Sequence, residues 1–449
     1  SRMTIKVMKH QNVSLKFMAT RKQVFDMSDP GTGKTLVQIM DFAKQHKKDG
    51  KAMLVVCPKS LMRAAWANDI KKFAPHLRVS LAYAKNRAEA LSADADVFVI
   101  NVDGVKDLLK HKKAFWKRFG RVVIDESTAF KHHTSQRSKA MKKLVGHFEW
   151  RRLMSGTPTS NGICDLWHQM LLVDDGKRLG TSFFGFRSAC CEPKQVGAHA
   201  HAIQWVDKEG IEQAVSALIS DVVIRHKFEE CVDIPANHMY SVPFELTPKH
   251  QKIYNELEEE SIAILQNTQV SAVHGGALYT KLLQIASGAV YNDDGDYSTV
   301  ASERYELVLD LVEQRRHSVV FYLWEHQLQE LLVEAKKRKL SHAVWDPDKP
   351  GIADEYQKGL YQVLFAHPAS AGHGLTLTKG TATIWASPTP NLEWFSQGKK
   401  RVHRIGQNQA TETIVVIAEN TRDVKVFDSL MRKDVKMTSL LEDLKCSAL

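Results

Sequence analysis

Ser28-Asp29-Pro30-Gly31-Thr32-Gly33-Lys34-Thr35 is followed by a helical stretch from Leu36 to Lys44. A glycine-rich turn that ends in Gly-Lys-Thr and opens a helix aims backbone N–H groups at an anion, which a nucleotide phosphate fits. Gly31, Thr32 and Gly33 form the tight turn, Lys34 offers charge to the β and γ oxygens, and Thr35 offers a hydroxyl to Mg²⁺. Position 28 is usually Gly or Ala in such a loop and is the small residue Ser here. Alone, the loop predicts nucleoside triphosphate binding and nothing finer. A plain turn ahead of a helix is the bland alternative.

Around this loop, short β-branched runs alternate with helical stretches. Met53 to Cys57, Val97 to Asn101 and Arg121 to Asp125 form one group, before residue 160. Val319 to Tyr322, Gln362 to Ala366, Thr383 to Ala386 and Thr413 to Ile417 form a second, after residue 315. Such alternation predicts parallel sheets covered on both faces. A polar, helix-rich stretch with Asn255 to Asn267 and Ala277 to Gly288 lies between them. The expected fold is α/β, with two lobes, helical insertions at their junction and a C-terminal helix after Asn420 as a brace. The expected first lobe is residues 1–240, with an insertion at about 160–240, and the second is 241–449, with an insertion at about 247–300.

The composition fits this division. A chain of 449 residues is too long for one core, and 43% hydrophobic content is that of a folded protein. The longest apolar runs, such as Val122-Val123-Ile124, are far too short for a membrane span, and the basic N-terminus lacks a signal-peptide core. A cytoplasmic setting is expected, in a bacterium or phage-infected cell, or a nuclear one in a eukaryote. The cysteines at 57, 164, 190, 191, 231 and 446 have no disulfide-framework spacing. Cys190-Cys191 with His199 and His201 hints at a metal, but adjacent cysteines rarely ligate one tetrahedral ion. A net charge of +11 attracts polyanions and supports non-specific nucleic-acid binding without requiring it.

Two further segments carry chemistry. Arg121-Val122-Val123-Ile124-Asp125-Glu126-Ser127-Thr128 is an apolar strand ending in two carboxylates. Asp125 suits the Mg²⁺ shell and Glu126 suits activation of a water, although a strand ending in charged turn residues is the simpler reading. Arg401 and Arg404, three apart on an expected helix, would lie on one face and could stabilise charge on a transferring phosphoryl group. A solvated basic helix over Lys399 to Arg404 is their plain alternative.

The order of the loop, Asp125-Glu126, Leu153-Met154-Ser155-Gly156-Thr157-Pro158 and Gln397-Gly398-Lys399-Lys400-Arg401-Val402-His403-Arg404-Ile405-Gly406-Gln407 is similar to the motif set of SWI/SNF-type ATPases in helicase superfamily two. The last segment is the most diagnostic. Leu54 to Pro58 with Trp66, Val222 to Lys227, and Ile234-Pro235 with Leu246 to Tyr254 extend the resemblance from about Gln11 to the C-terminal helix. It implies two RecA-like lobes, ATP hydrolysis with Mg²⁺, and movement along duplex DNA, largely independent of base sequence and without wholesale strand separation. Gln11 and Gln397 become nucleotide-binding candidates, and Ser155, Gly156 and Thr157 become coupling candidates. Lys59 and Ser60 in the first lobe and Ser370, Thr376 and Trp394 in the second become candidate DNA grips.

Two positions depart from the family pattern. Ser127 and Thr128 stand where Ala and His are usual, which puts the link to Ser155–Pro158 in doubt, and His373 stands where a Gly is frequent. The chain resembles minimal bacterial or phage-encoded members more than eukaryotic remodellers, and a monomer is expected, with protein partners unspecified. An RNA or single-strand helicase of the same superfamily is one alternative. A nucleic-acid-binding module with a weakened ATPase is the other.

Overall fold

The structure, a computed structural model, describes residues 6–195, 203–231, 235–267, 272–371 and 374–444. Ala52-Met53-Leu54-Val55-Val56-Cys57 shows why its sheets are of the parallel type. Every residue of this run is apolar and every one is buried, as a strand covered on both faces requires.

The first sheet has seven strands in the order β3-β4-β2-β5-β6-β1-β9. They are β1 (Gln23–Asp26), β2 (Ala52–Cys57), β3 (Val79–Ala82), β4 (Val97–Asn101), β5 (Phe119–Asp125), β6 (Trp150–Met154) and β9 (Val223–Ile224). All neighbours are parallel. β7 (Cys191–Gln195) and β8 (Ile203–Asp207) form a small sheet of their own, as do β11 (Ala289–Tyr291) and β12 (Tyr297–Thr299). The second large sheet, also parallel, has the order β10-β17-β16-β13-β15-β14. Its strands are β10 (Asn237–Phe244), β13 (Ser318–Phe321), β14 (His342–Val344), β15 (Val363–Ala366), β16 (Ala382–Trp385) and β17 (Thr411–Ala418).

Contacts divide the chain into two compact units. The first takes Ser1–Glu192, Trp205–Asp233 and Asp434–Leu449, and the second takes Pro193–Gln204 and Ile234–Lys433. The class is therefore α/β with two RecA-like lobes. Helices Pro248–Asn267 and Ala272–Ala286 lie between β10 and β13 in the chain, and the C-terminal helix Arg422–Asp443 belongs in part to each unit.

Each unit has its own core. Ile39, Phe42, Met53, Val55, Trp66, Val97 and Val99 pack in the first, and Val308, Leu309, Leu331, Phe365, Ile384 and Ile414 in the second. Burying each such side chain contributes about 1.5–3 kcal/mol. Polar staples add geometry. In the first unit, Asp41 Oδ2 accepts from Arg121 Nη1 at 2.5 Å and from Arg152 Nε at 3.2 Å. Burial lowers the Arg152 pKa to about 10 and Asp41 opposes that fall. In the second unit, buried Arg304 donates to Asp423 Oδ2 at 2.6 Å and to Ala386 O and Ala286 O, which fixes the start of the C-terminal helix against the sheet.

Because the first sheet is wholly parallel, all its strands end on one edge. The segments after β1, β2, β5, β6 and β9 leave from it, and crevices at this edge are where open α/β sheets bind ligands.

Candidate nucleotide site and nucleic-acid surfaces

The loop after β1 is held from within and from behind. Gly31 and Gly33 both have positive φ, 84° and 82°, so the turn needs residues without a Cβ penalty. A Cβ at Gly33 would also stand 2.3 Å from Gln11 Nε2, so the Gln11 amide would have to swing away from its place over the loop. The Lys34 ammonium donates to Ser28 O at 2.6 Å and Asp29 O at 3.2 Å, and Thr32 Oγ1 donates to Asp29 O. Lys34 and Thr35 form the first turn of the helix Lys34–Asp49, longer than the sequence pattern indicated.

The helix Lys9–Ala19 covers the loop. Gln11 Nε2 donates to Gly33 O at 3.3 Å, its Oε1 accepts from Met8 N, and His10 Nε2 donates to Thr32 O at 2.7 Å. Behind the loop lies the segment after β9. Arg225 Nη2 pairs with Asp29 Oδ1 at 2.7 Å, Phe228 N donates to Asp29 Oδ2, and His226 N donates to Ser28 Oγ. His226 Nε2 meets Ser14 Oγ at 2.9 Å, and burial lowers its pKa. Arg225 and His226 thus back the phosphate-type loop, a placement that their position in the sequence does not suggest.

At the end of β5, Asp125 Oδ2 accepts from the buried Trp66 indole at 3.0 Å. Burial and then Asp125 push the neighbouring Cys57 thiol up. Glu126 has φ 57° and ψ 59°, a left-handed conformation that costs a non-glycine residue about 1–2 kcal/mol. This bend ends the strand and separates the direction of Glu126 from that of Asp125. The next residue, buried Ser127, donates to Gln169 Oε1 at 2.7 Å.

The loop after β6 abuts the first. Ser155 N donates to Asp26 O at 3.1 Å, and Ser155 Oγ accepts from Thr157 N. Gly156 lies so close to Pro30 that a Cβ would stand 2.6 Å from Pro30 Cδ. Lys34, Asp125, Glu126 and Ser155–Thr157 therefore share one edge of one sheet.

Beside this edge, Lys59, Arg63, Tyr83, Lys85, Asn86 and Asn101 line a groove of about 750 Å³. Lys59 was a candidate grip, and the groove adds Arg63, Tyr83 and Lys85, which only the fold brings to it. Ser60 is exposed next to Lys59 and is not part of the lining.

In the second unit the expectation for Arg401 and Arg404 needs correction. They do not lie on a helix: the helix Leu392–Lys399 stops before them, and residues 401–406 form turns. Two hydrogen bonds turn the chain here, from Arg401 N to Gly398 O and from Leu377 N to Arg401 O. The arginines nevertheless converge, since Arg401 Nη1 and Arg404 Nη1 both donate to Leu375 O, at 3.1 and 2.9 Å. Arg401 is buried and also donates to Gln397 O at 2.9 Å, so a solvated basic helix is excluded. Gln397 is itself buried, with Oε1 3.4 Å from Arg401 Nη2. Gln407 Nε2 donates to Thr378 O, Gly380 O and Val402 O, closing the whole turn.

Of the candidate grips in this unit, Ser370 Oγ donates to His367 O, and the His367 ring packs edge-on against Trp394 at 5.1 Å. Thr376 is exposed on the loop that carries Leu375. His373 and its neighbour Gly372 lie outside the described residues, as do His199, His201 and Cys446. Among the described residues no group of three or more His, Cys, Asp or Glu could hold a metal ion. No described helix is long and apolar enough to cross a membrane.

Residues 10–287 match the family model of the SNF2-related domain. Protein p41 of Acyrthosiphon pisum secondary endosymbiont phage 1 is 29% identical over 442 residues, covering 92% of this chain and 93% of that protein. An uncharacterized ATP-dependent helicase of Mycoplasma genitalium is 25% identical over 433 residues, covering 92% of this chain but only 40% of the helicase. Among solved structures, the SWI2/SNF2 ATPase core of Sulfolobus solfataricus in complex with dsDNA is 21% identical, with 98% of this chain and 94% of that one covered and a TM-score of 0.45.

Proposed function

This chain belongs to the SNF2-related family, and we propose that it is a DNA-dependent ATPase that converts hydrolysis into movement along duplex DNA without separating the strands. One observation carries this reading: Lys34, Asp125, Glu126 and the Ser155–Thr157 loop leave a single sheet edge together.

In this reading, backbone N–H groups of residues 31–35 hold the phosphates, Lys34 neutralises them and Gln11 reads the base. The Asp125 carboxylate and the Thr35 hydroxyl are hard oxygen donors, which suits Mg²⁺. If Mg²⁺ were bound, these two residues would hold it and it would supply positive charge to offset that of the phosphates. Glu126 accepts a proton from the attacking water. Arg401 and Arg404, which converge on Leu375 O with Gln397 beside Arg401, are the residues that supply positive charge to the γ-phosphoryl in turnover. Ser155, Gly156 and Thr157 pass the nucleotide state to the nucleic-acid surfaces.

Lys59 and the groove with Arg63 and Lys85 grip the phosphate backbone in the first unit, together with Ser60. Ser370, Thr376 and Trp394 do so in the second. Phosphate contacts read no base sequence, and little sequence preference follows. We assign the two compact units as the two working lobes of a monomer; the boundary expected at 240/241 moves to about 233/234, because Asn237–Phe244 is a strand of the second sheet, and residues 434–449 group with the first unit.

Turnover measured with ATP alone, duplex DNA, single-stranded DNA and RNA tests this. Duplex DNA should stimulate most, and an absence of duplex stimulation would overturn the reading. Displacement of a triplex third strand without unwinding of a forked duplex marks translocation, and unwinding of the fork would instead mark a helicase.

A further inference from the structure

Helix Cys164–Asp174 is buried along nearly its whole circumference, and the residue at its centre is an amide, Gln169, with no exposed surface. An apolar side chain is the default at such a position, because an amide placed there without partners is costly. Gln169 instead makes three hydrogen bonds. Its Oε1 accepts from Ser127 Oγ at 2.7 Å, and its Nε2 donates to Pro158 O at 3.0 Å and to Asp165 O, one helical turn back, at 2.9 Å. A carbonyl is an acceptor only, so Pro158 and Asp165 fix which end of the amide faces them and leave Oε1 for Ser127.

The two outer partners matter by their place. Ser127 follows Glu126 directly, at the bend where β5 ends. Pro158 closes the loop after β6, whose Gly156 packs on Pro30 and whose Ser155 is bonded to Asp26. Asp125 and Met154 are register partners in the sheet, and beyond them the two loops part. Gln169 spans them there, with both ends buried, so a shift of one loop must carry or break the amide.

We propose that Gln169 is a positioning residue of the ATPase, tying the backbone that carries Glu126 to the Ser155–Pro158 loop through the hydroxyl of Ser127. This rests on the ATPase reading above. The pair Ser127–Gln169 makes the link that the departure from Ala-His at positions 127 and 128 had put in doubt.

Gln169→Leu keeps the volume and removes all three bonds. Gln169→Glu keeps an acceptor for Ser127 but loses the donors to Pro158 and Asp165. Ser127→Ala removes one hydroxyl and is the mildest change. Each variant is measured for melting temperature, ATP affinity, kcat with and without duplex DNA, and amide hydrogen exchange.

Gln169→Leu should lower DNA-stimulated kcat roughly tenfold, with ATP affinity within about twofold. Ser127→Ala should do nearly the same, and the double variant should be no worse, because both break one link. Hydrogen exchange should rise together at residues 126–130 and 155–160. Full turnover in folded Gln169→Leu or in Ser127→Ala overturns the proposal, as do additive effects. Should Gln169→Leu not fold, Ser127→Ala and Gln169→Glu decide alone. An inert wild type is the failure of the ATPase reading instead, and the exchange of the two segments still reads the link: a rise in neither overturns it.

Discussion

Arg225 and Asp29 form an ion pair of 2.7 Å behind the nucleotide-type loop, and the same carboxylate accepts from the backbone N–H of Phe228 through its other oxygen. Both side chains are largely shielded, and Arg225 also donates to His226 O. Removing one member of a shielded pair leaves a charge uncompensated and costs about 3 kcal/mol. Arg225→Ala should therefore lower the melting temperature and raise KM for ATP several-fold. Arg225→Lys should recover little of either, since an ammonium cannot reproduce the fork that serves Asp29 and His226 O together. Thermal melts and ATP titrations of the two variants check this. Wild-type KM in Arg225→Ala would show that the pair does not shape the loop.

Glu126→Gln keeps the size of the side chain and removes its basicity. Turnover should fall by about 10² to 10⁴ while ATP binding stays near wild type. A binding measurement beside a single-turnover assay checks it, and retained turnover would remove Glu126 from the role of base.

Gly156→Ala places its methyl group 2.6 Å from Pro30 Cδ, well inside van der Waals contact. The contact is with a proline ring, which has little freedom to move. Overpacking of this kind costs about 1–3 kcal/mol and should push the two loops apart, lowering kcat with duplex DNA more than ATP affinity. Steady-state kinetics and a melt together check it.

Arg401 and Arg404 should separate by experiment although both reach Leu375 O. Arg401 is buried and bonded to Gln397, so Arg401→Ala should lower both stability and turnover. Arg404 is less buried, so Arg404→Ala should spare the melting temperature and reduce turnover by up to about 10³. Equal losses of stability would mean that Arg404 too serves mainly to hold the turn.

Two buried histidines, one in each unit, predict a pH dependence. Burial lowers His168 and His326 to about 4 from the usual 6.5. The unfolded chain takes up these protons first, so the stability they allow is complete above pH 6.5 and is lost as pH falls from 6.5 towards 4. At pH 5 the loss is roughly 2 kcal/mol per histidine. Melting temperature should be flat from pH 7 to 8 and drop by pH 5, and His168→Gln should flatten the part of the drop that belongs to the first unit.

The parts of this architecture that depend on local pattern were legible in the sequence. Val97 to Ile100 and Ala52 to Cys57 are apolar throughout because both faces of their sheet are covered, and Gly-Lys-Thr sits where a strand gives way to a helix. The parts that depend on distant partners were not. Asp29 and Phe228 are 199 residues apart, and nothing in either segment signals the other. Trp66, 59 residues from Asp125, is buried and donates to that carboxylate, and nothing around Trp66 in the sequence signals this partner. Arg401 and Arg404 misled for a different reason: a spacing of three fits a helix, but Leu377 N captures the Arg401 carbonyl, and tertiary hydrogen bonding prevails over local periodicity.

The one-sided edge of the first sheet has a practical consequence for labelling. All its strands start on the opposite edge, and the described turn at Asp49-Gly50-Lys51 there is exposed, with nothing within 4 Å of a Cβ at Gly50. A short tag or fluorophore-bearing insertion at that turn should leave turnover intact, giving a handle for following single molecules on a stretched track.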